Sequence, residues 1–556
     1  MFKSLFSFIS GGHDSNLSVY VNNTLYTIEL ERIYGNRYLG ITALSEEEQL
    51  SFLLTLKEIL KNKGVLLPFF DIGFFDWLTP QNIVQKFCDF FNIKEVYQEG
   101  DDETFHHKAH AASAFYSSGF DEALVFSYDG GGNDGTFCVF DLQKPNPDFT
   151  QVNARCDSTF TTKYCSLSSF IKEIRGPRKW LISEKNEHLH RRFDQIDHGG
   201  SGKLMGLSAY GSFDESIFNL CKKWLQSDSS QPFDFNFWGN FSDDHLNNLP
   251  SLYGSLVGSH VHDGIEAPLS YDWAFNMQRA FEADFLERFA SFFDERKHKN
   301  VCLTGGGALN VVLNDRLSKI YPNVNFFVPS SPGDSGLSYG MIARYLKDAL
   351  VPEVMYTGCE ILDKEVLPYI LDHRPWKKAA PSLIAKELTK GKIIGVCRGD
   401  SETGPRALGN RSILADPRSH QAKDVINHKV KFREWYRPFA PVCKEDKVSI
   451  FFETSDNASY KYMSFSPQVR EKYQTVLPAV THVDGSSRLQ TVSGQQNQFI
   501  YNVLDEFERL TGLPVLVNTS FNTKGKSILT RYLTAMQVLD STELDGVVLE
   551  DYYIYK

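Results

Sequence analysis

Residues 3–30 read KSLFSFISGGHDSNLSVYVNNTLYTIEL, and this stretch decides the fold class. Residues 3–9, 16–21 and 24–30 are short runs rich in Phe, Val, Tyr, Ile and Thr, the side chains that suit strands. Asn22-Asn23 joins the last two, and Asn tolerates the positive φ that a two-residue hairpin turn demands. After Gly40 the period changes. Ser45 with Glu48 makes a capping box, and Leu50, Leu53, Leu54, Leu56 and Leu60 are expected to form the apolar face of a helix that ends at Gly64.

The same theme of strand, glycine turn and second strand returns at 123–128, Asp129-Gly130-Gly131-Gly132 and 136–141. Two more strands run into glycine loops, 300–304 into Gly305-Gly306-Gly307 and 325–329 into Ser330-Ser331-Pro332-Gly333-Asp334, each followed by a helical run. Strands alternating with helices define an α/β protein. Around 345–385 the motifs thin out and Pro352, Pro368, Pro375 and Pro381 accumulate. The expected organisation is therefore a first domain over 1–355, a boundary region over 356–385 and a second domain over 386–556, with strands at 392–397, 514–517 and 546–550. No repeat of solenoid period and no low-complexity segment is present.

With 556 residues the chain is too long for one ordinary core, and two large domains are the natural expectation. A net charge of −11 argues against a surface devoted to coating nucleic acid. The 43 Phe suit Phe-rich packing. Nine Cys without a CxxC, several inside apolar runs, read as reduced core residues. No secretory leader is evident in MFKSLFSFISGGHDS, and no run nears the ~18 apolar residues that span a bilayer, so the cytoplasm is the expected compartment.

His106 and His110 in His106-His107-Lys108-Ala109-His110 are four apart, so on a helix they share a face and can converge on one cation. A polar helix start or a surface His cluster would look the same. Asp129 and Asp334 both follow strands beside glycine turns, where carboxylates serve as metal or phosphate-site ligands and also as ordinary turn residues. Two His and two Asp form a mixed N/O set suited to Fe, Mn or Zn. The run 198–204, HGGSGKL, is not a P-loop, because Asp197 falls where the first Gly belongs and Leu204 replaces Ser or Thr. In the rear part, Arg406 and Arg411 open a basic tract that continues through Lys429, Lys431, Arg433, Arg437 and Arg488, interleaved with aromatics and prolines. A solvated charge run is the bland alternative to an anion-binding wall of Arg forks. Asn518, Ser520 and Asn522, after the strand 514–517, suit nucleotide contacts or an ordinary polar turn.

These stretches together resemble the O-carbamoyltransferases that decorate antibiotics such as tobramycin and cephalosporins, and nodulation factors. The resemblance rests on His13-Asp14, Glu29 to Arg32, HHKAHAASAFY (106–116), Asp129-Gly130, GKLMGLSAYG (202–211), LTGGGALN (303–310), SPGDSG (331–336), GPRALGNRSILADPR (404–418), KFREWYRPFAP (431–441), PAVTHVDGSSRLQTV (478–492) and LVNTSFN (516–522). It implies an actin-like ATPase front half of the TsaD type and a YrdC-like rear half. It implies that carbamoyl phosphate and ATP, with Mg2+, give carbamoyl-adenylate in the rear half. The carbamoyl group then passes to a hydroxyl of a small molecule, a sugar or a hydroxymethylated nucleobase, free or in DNA.

By the same resemblance His106, His110, Asp129 and Asp334 hold Fe2+, or Mn2+ or Zn2+, and His13 assists deprotonation of the acceptor. Gly130, Lys203, Gly305, Gly306, Gly307 and Asn310 meet nucleotide phosphate. Arg406, Arg411, Lys431, Arg433, His482, Arg488, Asn518, Ser520 and Asn522 bind carbamoyl phosphate and the adenylate, with Arg406 and Arg488 also catalytic. No membrane is implied, and a homodimer is the default oligomer. Departures from the pattern are Asp400 where Arg is usual, Lys526 where Glu is usual and Ser201 where Glu is usual; residues 212–275 match nothing in it and are expected to shape the acceptor site. A threonylcarbamoyl-type tRNA modifier and a non-catalytic nucleotide-binding homologue are the competing readings. The acidic net charge disfavours the first, and the intact metal and Arg set the second.

Overall fold

The computed structural model describes residues 4–10, 14–65, 69–98, 105–167, 200–227, 268–347 and 355–556. It divides into two units. The first comprises 1–127, 140–151 and 298–556, the second 128–139 and 152–297.

In the first unit the opening stretch forms β1 (Leu5–Ile9), β2 (Asn16–Val21) and β3 (Thr24–Glu29). Asn22 and Asn23 close the β2–β3 hairpin with φ of 51° and 62°, the two-residue turn expected of them. β4 (Phe70–Phe75) and β5 (Ile93–Tyr97) join in parallel on the other side of β1, giving the order β3-β2-β1-β4-β5. The helix Glu46–Asn62 starts at the capping box, with both reciprocal Ser45–Glu48 bonds present. Its buried face differs from the expected leucine row. Leu53, Leu56 and Leu60 are buried with Phe52 and Ile59, whereas Leu50 and Leu54 are 52% and 54% exposed. The turn of 100° per residue sets 52, 53, 56, 59 and 60 on one side and carries 50 and 54 away from it. Phe6, Phe8, Phe52, Phe70, Phe75, Phe87 and Phe91 fill the core between this helix, the sheet and helix Gln81–Phe91.

A second sheet has the order β7-β6-β8-β9, from β6 (Glu122–Tyr128), β7 (Phe137–Gln143), β8 (Asn300–Thr304) and β9 (Asn325–Phe327). β6, β8 and β9 run parallel. Helix His106–Ser118 packs on helix Leu337–Leu346 so closely that a Cβ on Gly340 would overlap the Ala109 carbonyl oxygen. The small Ala and Gly residues of the two helices are thus what lets their backbones meet.

The rear part of the first unit builds a mixed eight-stranded sheet. Its strands are β10 (Trp376–Lys378), β11 (Ile394–Cys397), β12 (Arg411–Ala415), β13 (Ala440–Lys444), β14 (Gln490–Val492), β15 (Val515–Ser520), β16 (Gly546–Leu549) and β17 (Tyr552–Tyr555). Their order is β10-β17-β16-β11-β12-β15-β13-β14.

The second unit centres on helix Pro268–Ala290, packed by helices Glu215–Leu225 and Gly200–Leu207. Of the 212–275 segment, residues 228–267 lie outside the described residues. All nine cysteines are free, as their apolar settings led us to expect. Among the described residues no helix is long and apolar enough to cross a membrane.

Candidate active site

Helix His106–Ser118 carries His106 and His110 one turn apart, and their Nε2 atoms lie 3.2 Å from each other. Asp334 follows β9 in the loop before helix Leu337–Leu346, and its Oδ1 lies 3.7 Å from His106 Nε2 and 3.5 Å from His110 Nε2. Asp129 is the residue after β6, whose pairing with β8 reaches Ser127↔Thr304. One donor atom from each of the four residues lies within 4.8 Å of every other. Two nitrogens bound at about 2.1 Å to one cation stand about 3.0–3.4 Å apart at tetrahedral or octahedral angles, so the imidazole spacing fits a shared ion. The N2O2 donor set fits iron, manganese or zinc.

The surroundings fix this geometry. His110 is fully buried, and the adjacent His107 is buried with Nδ1 2.7 Å from Ser127 Oγ. Asn16 Nδ2 donates to the backbone oxygens of both Asp14 (2.8 Å) and Asp334 (2.9 Å), tying the opening loop to the Asp334 loop. Gly305 donates its N–H to Pro332 O at 2.8 Å, and Thr304 Oγ1 donates to the same oxygen at 3.2 Å. The Gly305–Gly307 loop therefore sits beside the Asp334 loop. Asn310 Oδ1 accepts from Leu313 N at 3.1 Å and caps the helix Val311–Ile320. Gly130 is exposed, and Lys203 lies on helix Gly200–Leu207 in the second unit. His13 lies outside the described residues.

The rear part gathers cations. Burial pushes the Arg406 guanidinium down to about 10, helped by the charges of Arg37 and Arg437. Burial, then Arg433, Arg437, Arg37 and Arg488, hold the Lys431 ammonium well below its usual value. Arg433 is lowered by burial and Arg437, and Arg488 by burial, Arg406, Arg433 and Arg437. Like charges 6 Å apart repel by about 3 kcal/mol at an effective dielectric of about 20. Glu434, 3.6 Å from Arg437, is a partial counterweight. Arg433 Nη2 and Arg488 Nε are buried without a hydrogen-bond partner among the described residues. Uncompensated charge and orphaned donors are what an oxyanion relieves.

The sequence-selected residues divide here. Lys431 Nζ donates to Ser520 O (2.6 Å), Ser520 Oγ (2.9 Å) and Asn522 Oδ1, so these three come together. Arg433 lies over the Phe439 ring at 4.4 Å. Asn518 is buried and donates to Ala407 O (3.1 Å) and Gln490 Oε1 (2.6 Å), supporting the loop that carries Arg406. Arg411 is fully buried, and its guanidinium donates to the carbonyls of Arg398 (2.6 Å), Gly399 (2.7 Å) and Asn410 (3.0 Å). It holds the 398–399 turn. His482 is buried, and its backbone N–H donates to Ser486 O at 2.9 Å.

Sequence reasoning passed over three residues. Arg37, from the front of the chain, adds its charge to those acting on Arg406 and Lys431. Glu402, which is buried, accepts the N–H groups of Leu408 (2.7 Å), Asn410 (2.8 Å) and Arg411 (3.1 Å) on Oε1, shaping the Arg406 loop. Lys63 pairs with Asp400, so the Arg-to-Asp departure places an ion pair where the resemblance would put another cation.

The two sites share a seam. Arg32 Nε donates to Glu29 Oε2 and Arg32 Nη2 to Gly404 O, both at 2.6 Å, while Gly404 N–H donates to Glu29 Oε1 at 2.7 Å. Gly404 has φ 98°, and a Cβ there would overlap Ser330 O in the Asp334 loop. The loop that leads to Arg406 thus touches the loop that leads to Asp334.

Comparison with known proteins gives these sites a context. Residues 16–342 match the family described as carbamoyltransferase N-terminus, and residues 385–556 the one described as carbamoyltransferase C-terminus. Nodulation protein NolO of Bradyrhizobium diazoefficiens is 32% identical over 81% of this chain and 78% of its own length. Nodulation protein U of Sinorhizobium fredii is 31% identical over 76% of this chain and 72% of its own. A crystal structure of HypF from T. kodakarensis aligns with a TM-score of 0.33 at 15% identity, covering 63% of this chain and 48% of that one, a likeness too distant to argue from. The protein is a transferase. The chain belongs to the carbamoyltransferase family.

Proposed function

We propose that the protein makes carbamoyl-adenylate from carbamoyl phosphate and Mg2+-ATP over the rear cation cluster and transfers the carbamoyl group to an acceptor hydroxyl at the His106–His110–Asp129–Asp334 centre. The observation that carries this reading is the convergence of four donor atoms, drawn from three separate parts of the chain, within 4.8 Å.

In the first stage water cleaves carbamoyl phosphate to carbamate and phosphate. A carbamate oxygen attacks the α-phosphorus of ATP, the bond to the β-phosphate breaks, and pyrophosphate leaves. Both substrates are polyanions, so Arg406, Lys431, Arg433 and Arg488 bind them and offset the charge that builds in the transition state. Glu402, Asn518 and Arg411 keep the supporting loops in place.

In the second stage the acceptor oxygen attacks the carbamoyl carbon, AMP leaves, and the hydroxyl proton departs, taken by His13 in this reading. His106, His110, Asp129 and Asp334 would hold Fe2+, or Mn2+ or Zn2+, which when bound supplies Lewis acidity beside the carbonyl or the phosphate. The Gly305–Gly307 loop, with Gly130 and Lys203, is the proposed phosphate contact of this half. The order β3-β2-β1-β4-β5, antiparallel in the hairpin and parallel beyond, supports the actin-like, TsaD-type reading of the front. The rear eight-stranded sheet is read as the YrdC-like part. The acceptor is a small molecule or sugar, or a hydroxymethylated nucleobase free or in DNA, met in the cytoplasm.

The test supplies ATP, Mg2+ and Fe2+ with and without carbamoyl phosphate. AMP-forming turnover with pyrophosphate release is expected only when carbamoyl phosphate is present. Pyrophosphate release that ignores carbamoyl phosphate, or none under any condition, sinks the proposal.

A further inference from the structure

The rear cation cluster receives one charge from the far front of the chain. Arg37 follows the short helix Leu30–Tyr34, which stops at Gly35 with φ 71°. The next residues are held against 523–530 of the rear part. Asn36 bridges Lys526 antiparallel, and Lys526 Nζ donates to Asn36 Oδ1 at 3.1 Å. Ser527 N–H donates to Gly35 O at 3.4 Å, Ser527 Oγ to Glu31 O at 2.8 Å, and Thr530 Oγ1 to Arg32 O at 2.7 Å. The same stretch is tied to the cluster, because Asn522 Nδ2 donates to Lys526 O at 2.7 Å while its Oδ1 accepts from Lys431 Nζ. One hydrogen-bonded ladder therefore leads from the neighbours of Arg37 to the buried ammonium of Lys431.

The Arg37 guanidinium lies against the neighbouring Tyr38. Tyr38 has φ 57°, a conformation bulky residues rarely adopt, and its N–H donates to Glu31 Oε2 at 2.9 Å. Arg37 Nη2 donates to Tyr38 Oη at 2.7 Å, with the guanidinium 4.7 Å from the ring centroid. Arg37 is exposed whereas Lys431 is buried, and its charge acts on both Arg406 and Lys431. It is an exposed charge beside buried ones.

We infer that Arg37 is an anion-contact residue at the exposed edge of the cluster, taking the outer phosphates of a polyphosphate while Arg433 and Arg488, with their orphaned buried donors, hold a small oxyanion beneath. A compact anion is met in full by the buried donors. An anion that extends outward reaches an exposed cation at the edge, and the planar fork of Arg suits a terminal phosphate. This inference rests on the anion-site reading of the cluster given above.

The experiment is calorimetric titration of the full chain with inorganic tripolyphosphate and with orthophosphate at constant ionic strength, for wild type, Arg37→Ala and Arg37→Lys. Arg37→Ala should weaken tripolyphosphate about tenfold and orthophosphate by less than about twofold. Arg37→Lys should recover part of the loss, since it keeps the charge and loses the fork. Equal loss for both anions, or no loss for either, with wild-type binding intact, overturns the role of Arg37 and leaves the cluster as an anion site. A wild type that binds neither anion removes the cluster reading and the role of Arg37 with it.

Discussion

The two clusters follow opposite electrostatic plans. The front one sets two carboxylates among two imidazoles, a collection of lone pairs suited to a cation. The rear one gathers Arg406, Lys431, Arg433 and Arg488, whose proton affinities are depressed by burial and by the neighbouring cations, Arg37 and Arg437 among them. The contrast teaches that the uncompensated sign of a cluster, more than residue type, identifies its ligand. Arg411 shows the converse. It belongs to the same basic tract of sequence, yet its two terminal nitrogens donate to three backbone carbonyls and so brace a turn.

If the clusters are separate, they fail separately. Lys431→Met should cut carbamoyl phosphate-dependent pyrophosphate release by about 100–1,000-fold. His110→Ala should cut acceptor carbamoylation at least about 100-fold and lower the iron retained on purification, while pyrophosphate release stays within about threefold. Loss of pyrophosphate release in His110→Ala as well would merge the clusters into one site and break the comparison.

A smaller effect sharpens the seam between them. Gly404→Ala puts a Cβ against Ser330 O at φ 98°, so it should disturb the Arg406 loop and the Asp334 loop together. We expect about tenfold loss in each stage, with a stability cost of about 1–3 kcal/mol read from a denaturant midpoint. A loss confined to one stage would show that the contact does not join them.

The smallest effect concerns Glu31, on the segment that touches both regions. Burial, then the charges of Glu29 and Asp14, raise its carboxyl from 4.5 to about 7. The folded state holds this proton more tightly than the unfolded chain does. The stability it contributes is thus full below pH 4.5 and is lost as the pH rises towards about 7. Glu31→Gln, always neutral, should flatten the fall in melting temperature between about pH 5 and about pH 8. A fall as steep as that of wild type would contradict this account.

The front cluster was largely legible in the sequence because its rules are local. His106 and His110 are four apart on a helix, and Asp129 and Asp334 end strands beside glycine. Their meeting required only that β6, β8 and β9 lie side by side. The β2–β3 turn and the capping box at Ser45 were legible for the same reason. The rear cluster was half legible. A basic tract was plain, but the destination of each donor was not: Lys431 meets Ser520 and Asn522, Asn518 supports a loop, and Arg411 meets carbonyls. Arg37 gave no signal, since its turn is unremarkable and its partners lie far along the chain. The exposed Leu50 and Leu54 show the limit of counting leucines, where angular position rather than identity decides burial.

The Glu29–Arg32–Gly404 seam also bears on how the protein is made. The Glu29 carboxylate and the Gly404 amide that pairs with it are 375 residues apart. At a ribosomal rate of about 5–20 residues per second, the front half waits on the order of tens of seconds before that partner emerges. Throughout this interval a charged pair destined for a dry interior stays wet and the surface around it unsealed. Completion of the front half is therefore a late event in biosynthesis.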